Sequence, residues 1–253
     1  MKLSILIPTF NEARTIAQVL QDVAAAPIAL EKEIIVVDDG STDGTREILQ
    51  SCPDLTDLTV IFHDRNTGKG AALRTGLAYA TGEIFLIQDA DLEYSPTDYP
   101  VLLGPILQNH ADVVYGSRFL GGPHRVLFFW HYVANRILTL VSNMLSDLNL
   151  TDMETGYKAF RAEVFNAIRL QSDRFGFEPE ITAKVARRGY RIYEVPIAYH
   201  GRDYAAGKKI TWRDGLAALW HILKYNLLGN QKLNKTTPHR IVHHPSDRAT
   251  PPK

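Results

Sequence analysis

Asp89, Asp91 and Glu93 stand at alternate positions behind the apolar run 83–88, and they are the side chains of this sequence best placed to do chemistry. In extended backbone, side chains two apart share a face. The three acids would then point at one place, and small Ala90 would let a ligand come close. Grouped carboxylates suit a hard cation such as Mg²⁺ or Mn²⁺, which takes oxygen ligands and keeps positions open for phosphate groups. The alternative is that paired acids after a strand simply cap the next helix. A second acidic pair, Asp38-Asp39, closes the apolar run 33–38, and Gly40 behind it permits a tight turn. A carboxylate there can accept hydrogen bonds from a ribose or a base N–H, while Ser41 or Asp43 fits the cap of a helix reaching Gln50. No G-x-x-x-x-G-K-[ST] and no G-x-G-x-x-G after a strand occurs, which argues against a P-loop enzyme or a dinucleotide-dependent dehydrogenase.

These acids need a scaffold, and the first half supplies a regular one. Strand-like runs at 3–8, 33–38, 58–63, 83–88 and 111–115 alternate with helical patterns at 11–26, 42–50 and 69–80. That alternation predicts an α/β fold with a mostly parallel central sheet flanked by helices. Ligands of such sheets sit beyond the carboxyl ends of the strands. The polar clusters 9–12, 38–44, 66–70 and 89–93 all fall there. After Gly116 the pattern changes: Gly121-Gly122-Pro123 is a breaker, and an amphipathic helix is predicted over 125–148. Further expectations are a helix at 177–188, a strand at 190–196 and a helix at 212–227. The expected organisation is one domain over 1–229, with a ligand-binding half to 116 and a second half beyond it. The basic, Pro-containing segment 230–253 reads as a disordered tail.

The 253 residues carry a formal net charge of zero, so no whole-molecule field draws the protein to nucleic acid. Cys52 is the only cysteine, which excludes an internal disulfide and a multi-cysteine zinc site. The N-terminal apolar run is too short for a signal-peptide core. The best candidate for a membrane span, 126–145, is broken by His131, Asn135, Arg136 and Asn143. The expectation is a cytoplasmic protein, peripheral at a membrane face. Phe128, Phe129 and Trp130 with Arg125 and Arg136 would let the 125–148 helix lie in a bilayer interface, or cover the sheet or a partner. That partner would be a membrane protein or a second copy of the chain.

Taken together, several segments resemble a known family. Leu6-Ile7-Pro8-Thr9-Phe10-Asn11-Glu12, the run from Val36 to Thr45, Asn66-Thr67-Gly68-Lys69-Gly70-Ala71 and Asp89-Ala90-Asp91 occur in the order found in family 2 inverting glycosyltransferases of the GT-A fold. Gly116-Ser117-Arg118-Phe119, Thr155-Gly156-Tyr157-Lys158-Ala159-Phe160, and Glu194-Val195-Pro196-Ile197 with Arg202 are similar to the polyprenyl-phosphate sugar transferases, such as the dolichyl-phosphate mannose synthases. The resemblance covers roughly 3–226. It implies a nucleotide-diphosphate sugar donor, GDP-mannose or a UDP-sugar, bound at its nucleoside by Pro8, Phe10, Glu12, Val37 and Asp39. Asp89, Ala90 and Asp91 would meet the diphosphate, and Asp91, Glu93 and Asp89 the metal. Relatives often carry Gln where Glu93 stands. Arg118, Arg202 and Lys208 would neutralise donor phosphates, planar guanidinium groups being suited to bidentate binding. Arg118, Arg125 and His131 would meet the acceptor phosphate, His131 standing where the synthases usually offer Ser.

The reaction so implied is direct displacement at the anomeric carbon, with Asp89, Asp91 and Arg202 at the departing diphosphate. A sugar-hydroxyl acceptor requires a carboxylate base, for which Asp152, Glu154, Glu178 and Glu180 are candidates. A polyprenyl phosphate is already ionised and needs none. Three readings stand: transfer to a polyprenyl phosphate, transfer to a soluble or saccharide hydroxyl, and non-catalytic binding of a sugar nucleotide.

Overall fold

Alternate residues of the first strand go to opposite sides of the sheet, and both sides are dry. On β1 (Lys2–Thr9), Leu3, Ile5 and Ile7 enter one core cluster while Leu6 enters the other; on β2 (Glu31–Asp38), Ile34 and Val36 divide from Ile35 and Val37 in the same way. Burial on both faces is why these strands read as unbroken apolar runs rather than as an alternation. The structure, a computed structural model, describes residues 1–51, 57–126, 128–174, 176–202 and 212–228. Cys52, Lys208 and the 230–253 segment lie outside the described residues.

With β3 (Leu58–Phe62), β4 (Ile84–Ile87), β5 (Val113–Ser117), β6 (Lys158–Arg161) and β7 (Ile192–Pro196), a seven-stranded sheet forms in the order β3-β2-β1-β4-β6-β5-β7. All neighbours are parallel except β6, which runs antiparallel to both β4 and β5. The chain winds outward from β1 through β2 to β3, then returns to place β4 on the other side of β1. That reversal opens a crevice beyond the carboxyl ends of β1 and β4, the place where open α/β sheets bind ligands. Thr9–Glu12 and Asp89–Glu93 are the segments that leave those two strand ends.

Helices cover the two faces. On α1 (Ile16–Ala24), Ile16, Val19, Leu20 and Val23 recur at helical spacing and are buried against the first cluster, which α4 (Tyr99–Leu107) also joins through Tyr99, Leu102, Leu103 and Ile106. The second cluster takes Leu73 of α3 (Lys69–Tyr79), Val164 of α6 (Ala162–Ala167) and Ile181 of α7 (Phe177–Arg187). On α5 (Phe129–Ser146), Leu138, Val141 and Leu145 pack on that cluster, while Phe129, Trp130, Ile137, Leu140 and Met144 are exposed. The final helix, α8 (Trp212–Leu223), lies against α5 and continues as a π-helical turn, Lys224–Leu228. Among the described residues, no helix is long and apolar enough to cross a membrane.

Several expected boundaries need correcting. The first helix begins at Ile16 rather than Asn11, because Asn11 adopts φ 54° and Thr15 and Ile16 both donate to the Glu12 carbonyl, closing a turn first. The helix after β2 is the short α2 (Thr45–Gln50), whose first amide donates to Asp43 at 3.1 Å. The 111–115 strand shifts to Val113–Ser117, and the 125–148 helix starts only at Phe129. Three elements, α4, β6 and the short α6, escape a periodicity reading altogether. The α4 sequence contains Pro100, Gly104 and Pro105, and β6 begins and ends with a cation.

Candidate active site

Strand β4 does not stay extended through its acids. Leu92 takes φ 62°, a left-handed conformation unusual for a residue with a branched side chain, and reverses the chain so that the Glu93 amide donates to Asp91 Oδ1 at 3.1 Å. The expected one-faced row of Asp89, Asp91 and Glu93 is therefore replaced by a turn. Asp91 and Glu93 face a common cation, and Asp89 faces another.

The common cation is Arg202. Its Nη2 donates to Asp91 Oδ2 at 2.9 Å and its Nη1 to Glu12 Oε2 at 3.1 Å; its Nε lies 3.6 Å from Glu93 Oε1 and its backbone amide donates to the same oxygen at 2.8 Å. Segments leaving β1, β4 and β7 thus meet on one guanidinium. Nε has no hydrogen-bond partner although it is inaccessible. Burial, followed by the charges of Asp89 and Glu93, pushes the Asp91 carboxyl up to about 7 despite Arg202. Three carboxylates, Glu12, Asp91 and Glu93, share that single guanidinium.

Asp89 pairs with Lys69 Nζ at 2.8 Å, and that ammonium also reaches Glu178 at 3.1 Å. Burial works against the Lys69 charge, but Asp89 and Glu178 raise its pKa well above the ordinary lysine value. Gly156 lies flush against this pair: a Cβ there would overlap Asp89 Oδ2 and come within 3.0 Å of Lys69 Nζ. That close approach is the physical reason for a residue without a side chain in the 151–157 loop.

Arg118 is held by Asp152. Asp152 is fully buried and accepts from Arg118 Nε at 2.6 Å, Nη2 at 2.7 Å and the backbone amide at 3.1 Å. The guanidinium also lies over the Tyr199 ring, 5.3 Å from its centroid, and Tyr199 donates its hydroxyl to Glu93 Oε2 at 2.9 Å. Tyr199 thereby joins the Arg118–Asp152 pair to the Arg202 cluster. Asp152, expected among the catalytic residues as a candidate base, is committed to orienting Arg118.

Asp39 is similarly engaged. It accepts from the Thr67 amide at 3.0 Å, Thr67 Oγ1 at 2.7 Å, the Gly68 amide at 2.6 Å and His63 Nδ1 at 2.8 Å. Burial opposes the charge, but these bonds outweigh it and hold the carboxyl below its ordinary range. Gly40 (φ 76°) passes so close to the Arg65 and Asn66 backbone that no Cβ could fit. The 63–68 turn is thus fastened to the end of β2. Beside it, a shallow cleft of about 940 Å³ is lined by Phe62, His63, Arg65, Thr67 and Arg74.

The remaining expected residues are spread around these clusters. Pro8 and Val37 are register partners on β1 and β2, but the Val37 side chain belongs to the second core cluster, leaving only its backbone for a ligand. Ala90 is buried and its carbonyl accepts from Thr15 Oγ1 at 2.7 Å, and Phe10 is partly buried beside Glu12. Arg125 is exposed and donates to the Gly201 carbonyl at 3.2 Å. His131 lies in the first turn of α5 against Phe128, with ring centroids 5.4 Å apart. Sequence reading missed Tyr199, and it missed Lys69 as a partner of Asp89. Lys69 stands in the 66–71 motif, but only the fold brings it to β4; nothing in the sequence marks Tyr199.

Could a divalent cation fit? Among the described residues, no three His, Cys, Asp or Glu side chains converge closely enough to hold one alone. Mg²⁺ and Mn²⁺ do not require such a cage, since one or two carboxylates plus substrate phosphates suffice. Asp91 and Glu93 already share the Arg202 guanidinium as a stand-in cation, and with Glu12 on the same group three carboxylates face one cation, which leaves charge for another. The donor set fits.

A twisted, mostly parallel sheet with helices on both faces and an acidic crevice at its switch point defines the GT-A class of glycosyltransferase fold. The family model for Glycosyl transferase family 2 matches residues 4–169, and the chain belongs to that family. It is 34% identical over 199 residues to Glycosyltransferase AglJ of Haloferax volcanii, covering 78% of this chain and 63% of AglJ. It is 31% identical over 248 residues to the undecaprenyl-phosphate mannosyltransferase of Micrococcus luteus, covering 90% of this chain and 99% of that one. The chain also matches, at 30% identity, the dolichol-phosphate mannosyltransferase of Pyrococcus furiosus, over 89% of itself but only 64% of that protein. Among solved structures, glucosyl-3-phosphoglycerate synthase of Mycobacterium tuberculosis, crystallised with Mn²⁺ and UDP, superposes with a TM-score of 0.70 at 21% identity. That superposition covers 89% of this chain and 80% of the synthase, and it concerns the fold.

Proposed function

We propose that this protein transfers a hexose from a nucleoside-diphosphate sugar to a polyprenyl phosphate, with inversion and with the help of a divalent metal. The observation that carries this reading is the convergence of Glu12, Asp91 and Glu93 on Arg202 at the switch point of the sheet. Carboxylates for a cation, with a guanidinium among them, are what a departing diphosphate needs. Similarity to the undecaprenyl-phosphate mannosyltransferase of Micrococcus luteus and the dolichol-phosphate mannosyltransferase of Pyrococcus furiosus supports the acceptor class.

Asp91 and Glu93, with Asp89 beside them, would hold the metal, which would supply positive charge to the leaving diphosphate. Arg202 would turn from its carboxylates toward phosphate oxygens as the donor enters. Arg118, fixed by Asp152, presents a preorganised cation on the Tyr199 side of the same crevice. Lys208 is expected to supply a further cation to the donor phosphates.

The carboxylates favour an acceptor that brings its own charge. Asp152 is bound to Arg118, Glu178 to Lys69, and Glu180 to Lys184 and the amides of Gln171 and Ser172. Glu154 has an unpaired oxygen, but burial and then the charge of Glu178 push its carboxyl up to about 8. Mostly protonated near neutral pH, it is no ready base, whereas a phosphate acceptor needs none. The exposed Phe129, Trp130 and Leu140 of α5 suit contact with a lipid surface. Incubation with radiolabelled GDP-mannose or UDP-glucose, Mn²⁺ and polyprenyl phosphate tests the reading. Metal-dependent label in the organic phase is expected; label that reaches only a soluble hydroxyl acceptor would sink it.

A further inference from the structure

Glu154, in the 151–157 loop beside the crevice, has a carboxylate oxygen with nothing to bind. Its Oε1 is inaccessible and has no hydrogen-bond partner, while the residue as a whole keeps some solvent access. A buried acceptor left unpaired carries a desolvation penalty and calls for an explanation. Poor local order does not explain it, because the loop is fastened on every side. The amides of Thr151 and Asp152 donate to Glu194 at 2.9 Å, the Met153 amide to Thr139 Oγ1 at 3.2 Å, and the Gly156 amide to the Tyr94 hydroxyl at 3.2 Å. The fully buried ammonium of Lys158 takes the Met153 carbonyl at 3.1 Å and the Thr155 carbonyl as well, clamping the backbone on both sides of Glu154. The loop holds the side chain in place and leaves its oxygen unsatisfied.

Position and charge narrow the ligand. Two residues on, Gly156 touches Asp89 and Lys69, so Glu154 borders the acids of the leaving-group site. Its electrostatic neighbours are Glu178 foremost, then Lys158, Arg118 and Asp152. A phosphate or carboxylate placed there would meet the negative charge of Glu178, and that of Glu154 in the fraction that is ionised. An uncharged polyol would meet acceptors, and a partly protonated carboxyl can both donate and accept.

We propose that Glu154 is a specificity-determining residue that hydrogen-bonds a hydroxyl of the transferred sugar, and that with Glu178 it disfavours sugars bearing a carboxylate. The proposal rests on the donor reading given above. It is tested by calorimetric binding of UDP, UDP-glucose and UDP-glucuronate, and of GDP and GDP-mannose, in Mn²⁺. Wild type is compared with Glu154→Ala and Glu154→Gln, each first checked for an unchanged thermal transition. The expected result is an unchanged Kd for the bare diphosphate but a roughly 3–10-fold weaker Kd for the nucleotide sugar in Glu154→Ala, the range for a hydrogen bond to a mostly neutral group. Glu154→Gln should fall between the two, and the preference for glucose over glucuronate should shrink in both variants. Equal weakening of diphosphate and nucleotide sugar, or no weakening of either, overturns the sugar contact while leaving the donor reading intact. If wild type binds no nucleoside diphosphate at all, the donor reading fails and takes this proposal with it.

Discussion

Removing Asp152 should cost more stability than any other single change in the crevice. Its side chain is fully buried, that of Arg118 is 15% exposed, and the two share a bidentate contact at 2.6 and 2.7 Å. Asp152→Ala leaves a guanidinium in a dry site with no counter-charge, and breaking a buried pair from one side costs about 3–5 kcal/mol. The rings of Tyr199 and Phe119 lie near the guanidinium before and after the change, so they offset none of that difference. For a domain of this size each kcal/mol lowers Tm by about 2–4 °C, which gives a fall of about 6–20 °C. The double variant Arg118→Met with Asp152→Leu removes both charges and should recover most of the loss. It should still fail to transfer sugar, having lost the Arg118 cation. Urea and thermal denaturation followed by circular dichroism, beside a transfer assay, read both outcomes. A Tm for Asp152→Ala within about 2 °C of wild type would refute the reasoning, as would a double variant as unstable as the sum of the singles.

Arg202→Ala should lower turnover by about 10²–10³-fold, the effect of deleting a preorganised charge-stabilising donor; an unchanged rate would place the residue outside the site. Acid stability supplies an independent check at Glu33. Burial opposes its charge, but hydrogen bonds from Lys2, Ser4 and Thr81 lower its carboxyl from 4.5 to about 2. Because the folded value lies below the unfolded one, the stabilisation is fully present above pH 4.5 and is lost as pH falls toward 2. Glu33→Gln should flatten that limb of the stability–pH curve, and an acid limb as steep as that of wild type would count against the assignment.

The parallel half of the fold could be read because burial on both faces writes each strand as a short apolar run with polar residues at its carboxyl end. Strand β6 could not be read in this way, since Lys158 is fully buried and Arg161 reaches the Ile106 and Ala111 carbonyls. Cations satisfied by distant carbonyls look like surface residues in a sequence. The prolines and glycine of α4 hid a helix whose core contacts through Tyr99, Leu102 and Ile106 outweigh its breakers. At the site, the residue types of Asp89, Asp91 and Glu93 were apparent but their geometry was not. Leu92 turns left-handed, which no local propensity suggests. Pairings such as Lys69 with Asp89 and Asp152 with Arg118 depend on α3, β4, β5 and the 151–157 loop coming together, which spacing along the chain does not encode.

The central claim, that the Arg202-centred acids form a metal-dependent site for a nucleoside diphosphate, is tested most directly by calorimetric titration of GDP and UDP with and without Mn²⁺, in wild type and in Asp91→Asn. Binding of one nucleotide by wild type only when Mn²⁺ is present, and loss of that dependence in Asp91→Asn, is the predicted result. Equally tight binding in the absence of metal, or an Asp91→Asn protein that keeps the full Mn²⁺ response, would contradict it.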